Sequence, residues 1–171
     1  LERPDLEDTL SIPYRLGEIL PVTTKDEDPG RIRHDDLLKA VYGDAKEVVE
    51  SRLSTTMFVG RQVVVHSRVR TALDRVSSRL VHLITQQPRL GKYVVGELGG
   101  TFNWRTIAKS WRMSPHSYGI AIDIVSKYSA YWSWDQDQGI PITWKNQIPK
   151  EIVDAFETEG FIWGGRWSHY D

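Results

Sequence analysis

The stretch that most constrains this chain runs Ser114-Pro115-His116-Ser117-Tyr118-Gly119-Ile120-Ala121-Ile122-Asp123-Ile124. Gly119 frees the backbone for a turn, and Ile120, Ile122 and Ile124 then alternate onto one face. The pattern predicts a turn feeding a short strand, with Ala121 and Asp123 on the opposite face. A carboxylate within such an apolar run is costly to bury unless a partner offsets its charge. His116 lies just upstream, within reach of Asp123 if the turn folds back. A His and an Asp converging on a face cleared by a small Ala are a start for a metal site. A simpler reading fits the same residues: Asp123 pairs with an arginine, and His116 is an ordinary polar residue where a strand begins.

The rest of the chain bounds these readings. Its 171 residues fit one domain and can bury a real core. A net charge of -1 gives no basic field for nucleic acid or an anionic membrane. No apolar run approaches the roughly 20 residues that span a bilayer. The absence of cysteine excludes disulfides and thiolate metal sites and leaves the compartment open. The chain opens on Leu1 rather than Met, so a leader could have been removed, and export is not excluded.

Residues 1–30 carry four prolines and scattered acids, and read as an irregular arm docked through Ile12, Tyr14, Leu16, Ile19 and Leu20. Asp26-Glu27-Asp28 reads as a solvated loop. His34 to Leu53 reads as helix, broken near Gly43-Asp44. Met57 to His66 reads as strand, with Gly60 a turn or bulge. Val69 to Gln87 has Leu73, Val76, Leu80, Leu83 and Ile84 at helical spacing, and Pro88 and Gly91 end that helix. Gly99 to Arg105 reads as loop. The aromatic run Tyr128 to Trp144 could cover a groove or bind sugar rings, or simply pack. Pro149 opens a last helix that Gly160 closes, and Phe161-Ile162-Trp163 reads as strand. The sum is α+β, with helices packed on a small, mainly antiparallel sheet. Residues 1–55 are expected to form an N-terminal arm and helix packed on a domain of residues 56–171.

Two motifs then stand side by side. Ser114-x-His116, within Ser-x-His-Ser-x-Gly-x-Ala-x-Asp123, is followed about forty residues later by Trp163-Gly164-Gly165-x-Trp167-x3-Asp171. This resembles the zinc D-alanyl-D-alanine carboxypeptidase and L-alanyl-D-glutamate endopeptidase family, which includes vancomycin-resistance D,D-peptidases and phage endolysins. The resemblance covers roughly the C-terminal two-thirds, most clearly from Gly99. It implies zinc on the open face of the sheet, held by His116 and Asp123. It implies a third ligand, a His three positions past an acidic residue that maps onto Asp171. That ligand is expected just beyond Asp171, so the domain reads as truncated before it. His169 sits between the Trp and the Asp of the second motif, where the family pattern places no ligand.

The resemblance also implies roles. Zinc makes hydroxide available near neutral pH. Asp171 is the general base, and Arg105 or Arg112 stabilises the oxyanion. Ser114 and Tyr118 are the candidate substrate contacts. The implied substrate is the peptide stem of bacterial peptidoglycan, cut at D-Ala-D-Ala or L-Ala-D-Glu by a monomer in the periplasm, cell envelope or exterior. The alternative is a catalytically inactive cell-wall-binding module on the same scaffold. A serine hydrolase built on Ser114 is disfavoured, because the Gly-x-Ser-x-Gly elbow is missing.

Overall fold

The computed structural model describes residues 4–108 and 110–171. The elements in chain order are α1 (Leu6–Leu10), α2 (Asp35–Tyr42), α3 (Lys46–Glu50), β1 (Leu53–Phe58), β2 (Arg61–His66), α4 (Ser67–Gln86), α5 (Trp132–Asp137) and α6 (Lys150–Glu157). Short 3-10 turns stand at Pro88–Tyr93, Pro115–Tyr118, Ser126–Tyr128 and Gly164–Arg166. The class is α+β, and its sheet is a two-stranded antiparallel hairpin. The chain forms two compact units: one of residues 1–34 with 127–171, the other of residues 35–126.

In the 35–126 unit, β1 and β2 pair from Leu53 opposite His66 to Phe58 opposite Arg61. Val59 and Gly60 turn the chain with φ of +44° and +82°. Two residues of positive φ are what the right-handed twist of a tight hairpin demands. Helix α4 crosses the hairpin with Leu73, Val76 and Leu80 buried. Its Ser77 hydroxyl accepts the Val59 N–H at 2.9 Å, tying helix to turn. His66 starts α4 as its N-cap: Nδ1 accepts from Arg68 N–H at 3.2 Å, and Nε2 lies 3.2 Å from the Tyr42 carbonyl. The imidazole thus holds one neutral tautomer with both nitrogens used. The break in the helical run from 34 to 53 falls at Gly43-Asp44, as the sequence suggests.

In the other unit, α6 buries Ile152, Val153 and Ala155. The N-terminal arm docks here through named bonds. The Tyr14 hydroxyl donates to Glu157 Oε1 at 2.5 Å and accepts from Trp163 N–H at 2.9 Å. Glu157 also holds Arg166, Nε to Oε1 at 2.6 Å, and Arg166 caps the Gly17 and Glu18 carbonyls. The arm includes a short helix, α1, started by Asp5 and Asp8 capping each other's backbone N–H.

Two segments expected as strands are not strands. Residues 120–124 form no strand, and of them only Asp123 makes a bridge among the described residues, to Gly100. Phe161-Ile162-Trp163 is irregular. Alternation supplies a face, but a ladder also needs a neighbouring chain to satisfy its backbone groups. The turn before Ile120 is a 3-10 turn with Ser114 as cap and Pro115 at its first position.

Candidate active site

The 35–126 unit brings His116 and Asp123 together. Gly119 ends the 3-10 turn at φ +65°, and a Cβ there would meet the His66 backbone nitrogen at 2.9 Å. Only glycine serves both the left-handed backbone and that approach. The turn also touches α3, and Tyr118, 1% exposed, is part of the buried core beside Tyr42. His116 is thereby anchored on a buried turn and is itself 8% exposed.

Its ring is oriented from both sides. Nδ1 lies 2.7 Å from the Thr101 carbonyl and must donate to it. Nε2 then faces Asp123 Oδ1 at 3.3 Å. Burial disfavours the imidazolium, but the Asp123 hydrogen bond and charge outweigh it and hold His116 above its ordinary range. Asp123 is fixed through its backbone: its N–H donates to Gly100 O at 2.9 Å and its carbonyl accepts from Gly99 N–H at 3.0 Å. Its carboxylate is half exposed. A Cβ on Gly99 would sit 2.6 Å from Asp123 Cβ, so the absence of a side chain there permits the approach.

The remaining candidates have distinct placements. Ser114 is buried, and its hydroxyl accepts from His116 N–H at 3.3 Å, so it shapes the turn. Ser117 bonds the Arg105 backbone in both directions, holding residues 103–105 against the turn. The Arg105 side chain is exposed, and its charge opposes protonation of His116. Arg112 pairs with Asp35 at 3.3 Å, both largely buried. A groove of roughly 530 Å³ runs beside Gly100 and Thr101 and is also lined by Val63, Val64, Leu98 and Phe102.

Asp171 belongs to the other unit, where it is exposed. Its N–H donates to Gly164 O at 3.2 Å, and a Cβ on Gly164 would meet Asp171 Cβ at 2.9 Å. The second glycine makes room for Trp163, and the Trp144 indole donates to the Gly165 carbonyl at 2.8 Å. Tyr170 is fully buried, and its hydroxyl donates to Asp135 Oδ2. Burial and that carboxylate push the phenol up to about 12. Asp28, expected in a solvated loop, is 4% exposed and is a hub of this unit. Burial would raise its carboxyl, but the His169 amide, the Ser168 hydroxyl and the His169 ring outweigh it and hold it below the ordinary carboxylate range.

Asp28, Thr101 and the role of Gly99 escape a reading of the sequence. Gly99-Gly100 offers a signal for close approach. Nothing in Asp26-Glu27-Asp28 distinguishes the one acid that is buried.

An imidazole locked through one nitrogen to a carbonyl, with a carboxylate facing the other, is a donor pair of the kind metal-dependent hydrolases use. Among the described residues, no third His, Cys, Asp or Glu joins it to form a three-donor group. The family model described as D-alanyl-D-alanine carboxypeptidase matches residues 108–171, the family that the two motifs resemble. The matched residues include His116, Asp123 and Asp171. No curated protein and no solved structure matches the chain.

Proposed function

We propose that this protein is a zinc-dependent peptidase that hydrolyses the peptide stems of bacterial peptidoglycan. One observation carries the reading: within the family match, His116 Nε2 stands 3.3 Å from Asp123 Oδ1 while Nδ1 is committed to Thr101 O. Those residues fit zinc in donor type. They supply a nitrogen and an oxygen, and the Thr101 carbonyl fixes the tautomer that leaves Nε2 able to bind. His116 and Asp123 would hold the ion.

Bound there, zinc supplies Lewis acidity that favours hydroxide near neutral pH and polarises the scissile carbonyl. The protein's own groups do the rest. In the role the family pattern gives it, the Asp171 carboxylate would take the proton of the attacking water and return it to the leaving amine nitrogen. Arg105 faces the charge that develops on the carbonyl oxygen. Arg112, paired with Asp35, keeps the loop before Ser114 in place. Ser114 and Tyr118 support the turn that carries His116. The groove beside Gly100 and Thr101 is where the extended stem lies.

Both D-Ala-D-Ala and L-Ala-D-Glu bonds belong to this substrate class. A wall substrate places the enzyme outside the cytoplasm, in the periplasm, envelope or exterior, acting as a monomer. No described helix is long and apolar enough to cross a membrane. The test is hydrolysis of soluble stem peptides by the full protein, with released D-Ala and released L-Ala followed separately. Cleavage abolished by EDTA and restored by zinc is the expected result. Binding of stem peptides without cleavage of either bond would favour the inactive wall-binding module instead.

A further inference from the structure

The last five residues, Trp167 to Asp171, form no strand or helix, yet each is hydrogen-bonded into the fold. Much of the bonding comes from Glu27, Asp28 and Pro29, about 140 residues earlier. The Trp167 indole donates to the Pro29 carbonyl at 2.7 Å, and Ser168 N–H to the Glu27 carbonyl at 3.0 Å. Asp28 takes the most. Its Oδ1 accepts from the Ser168 hydroxyl at 2.8 Å and from His169 N–H at 3.0 Å. Its Oδ2 accepts from His169 Nδ1 at 2.6 Å and from Arg31 Nη1 at 2.9 Å. Beyond this clasp, Tyr170 is pinned by Asp135 and by Trp132 N–H, and the next residue is Asp171.

We propose that Asp28 is a positioning residue for Asp171: by fixing Ser168 and His169 it sets the course of the segment that delivers the Asp171 carboxylate. The inference rests on the reading of Asp171 as the group that takes the proton in stem-peptide hydrolysis. A buried carboxylate with four donors is a poor means of adding stability, because its desolvation offsets most of what its bonds contribute. It is an effective means of fixing geometry, because both oxygens have directed partners and none can slip without leaving a buried group unpaired. A proton acceptor needs that accuracy, since a misplacement of about 1 Å can cost about 100-fold in rate.

The experiment compares the full protein with Asp28→Asn, in which one oxygen becomes an amide that meets donors with donors. Stem-peptide hydrolysis is measured with kcat and KM separated, and amide hydrogen exchange is followed along the chain. The expected result is a fall in kcat of about 10- to 100-fold with KM nearly unchanged. Exchange quickens at Ser168 through Asp171 and stays as it was in α6. Unchanged kcat with intact cleavage, or exchange that rises equally in α6, would overturn the proposal. Should Asp28→Asn not fold, Ser168→Ala removes one of the four bonds and is expected to give the same pattern at smaller size. If the unaltered protein cuts no stem peptide, the peptidase reading fails on its own. The clasp is then judged by exchange alone: quickening confined to residues 168–171 supports it, and no change refutes it.

Discussion

At the scale of single residues, the site depends on small groups that leave room. Gly99 lets Asp123 come within reach of His116, and a Cβ there would collide with Asp123 Cβ at 2.6 Å. Gly99→Ala is therefore expected to displace the carboxylate and weaken zinc binding about 10- to 100-fold, the usual cost of disturbing the support of a metal ligand. A zinc titration of the two proteins checks this, and equal affinities would show that the loop yields without moving Asp123. His66 offers a second prediction at this scale. Burial lowers its imidazole from the ordinary value of 6.5, and the nearby Arg52 and Arg68 charges add to this while the Tyr42 carbonyl opposes it. The unfolded chain therefore takes up the proton first. The contribution of His66 to stability is complete above the unfolded value and is lost as pH falls below it, until the folded value is passed. Urea unfolding at pH 7.5 and 5.5 should show this loss, and His66→Asn, which can still cap α4, should reduce it.

At the scale of elements, the hairpin and α4 carry the 35–126 unit. Val59 holds φ +44° in the turn, a conformation that a β-branched side chain resists. Val59→Asn keeps the N–H that bonds Ser77 and relieves the strain. It is expected to stabilise the protein by about 1 kcal/mol, read as a rise in Tm of about 2–4 °C. Leu80, fully buried on α4, should cost about 2–5 kcal/mol as Leu80→Ala in chemical denaturation. These elements also show what sequence can carry. The apolar spacing from Leu73 to Leu80 belongs to α4 alone, so it could be read locally. Residues 120–124 have an equally clear alternation, but a strand is a property of two chains, and only Gly100 answers Asp123. The Ser114-Pro115 start of the 3-10 turn follows the same local rules of capping.

At the scale of the molecule, the His–Asp motif and the Trp-Gly-Gly motif fall in different compact units. The motif spacing made both legible as a family pattern, and the match over residues 108–171 agrees with it. The supports were not legible, because they come from far along the chain. Thr101 orients His116 through a backbone carbonyl, which no side-chain pattern records. Asp28 is one acid among three neighbours, and its burial depends on Ser168 and His169. The N-terminal arm likewise shows its purpose only through Tyr14 and its bonds to Glu157 and Trp163. A charge or a ring in sequence states what a residue can do, while its partners decide what it does.

Everything proposed for the chemistry depends on His116 and Asp123 holding the catalytic zinc. Zinc titration of the full protein, followed calorimetrically and repeated on His116→Gln and Asp123→Asn, decides the matter. The unaltered protein is expected to bind zinc stoichiometrically. Each substitution should reduce affinity at least about 100-fold, while thermal unfolding without metal stays close to that of the parent. Zinc bound equally well by all three proteins would place the metal elsewhere, and the assignment of His116 and Asp123 as ligands would be wrong.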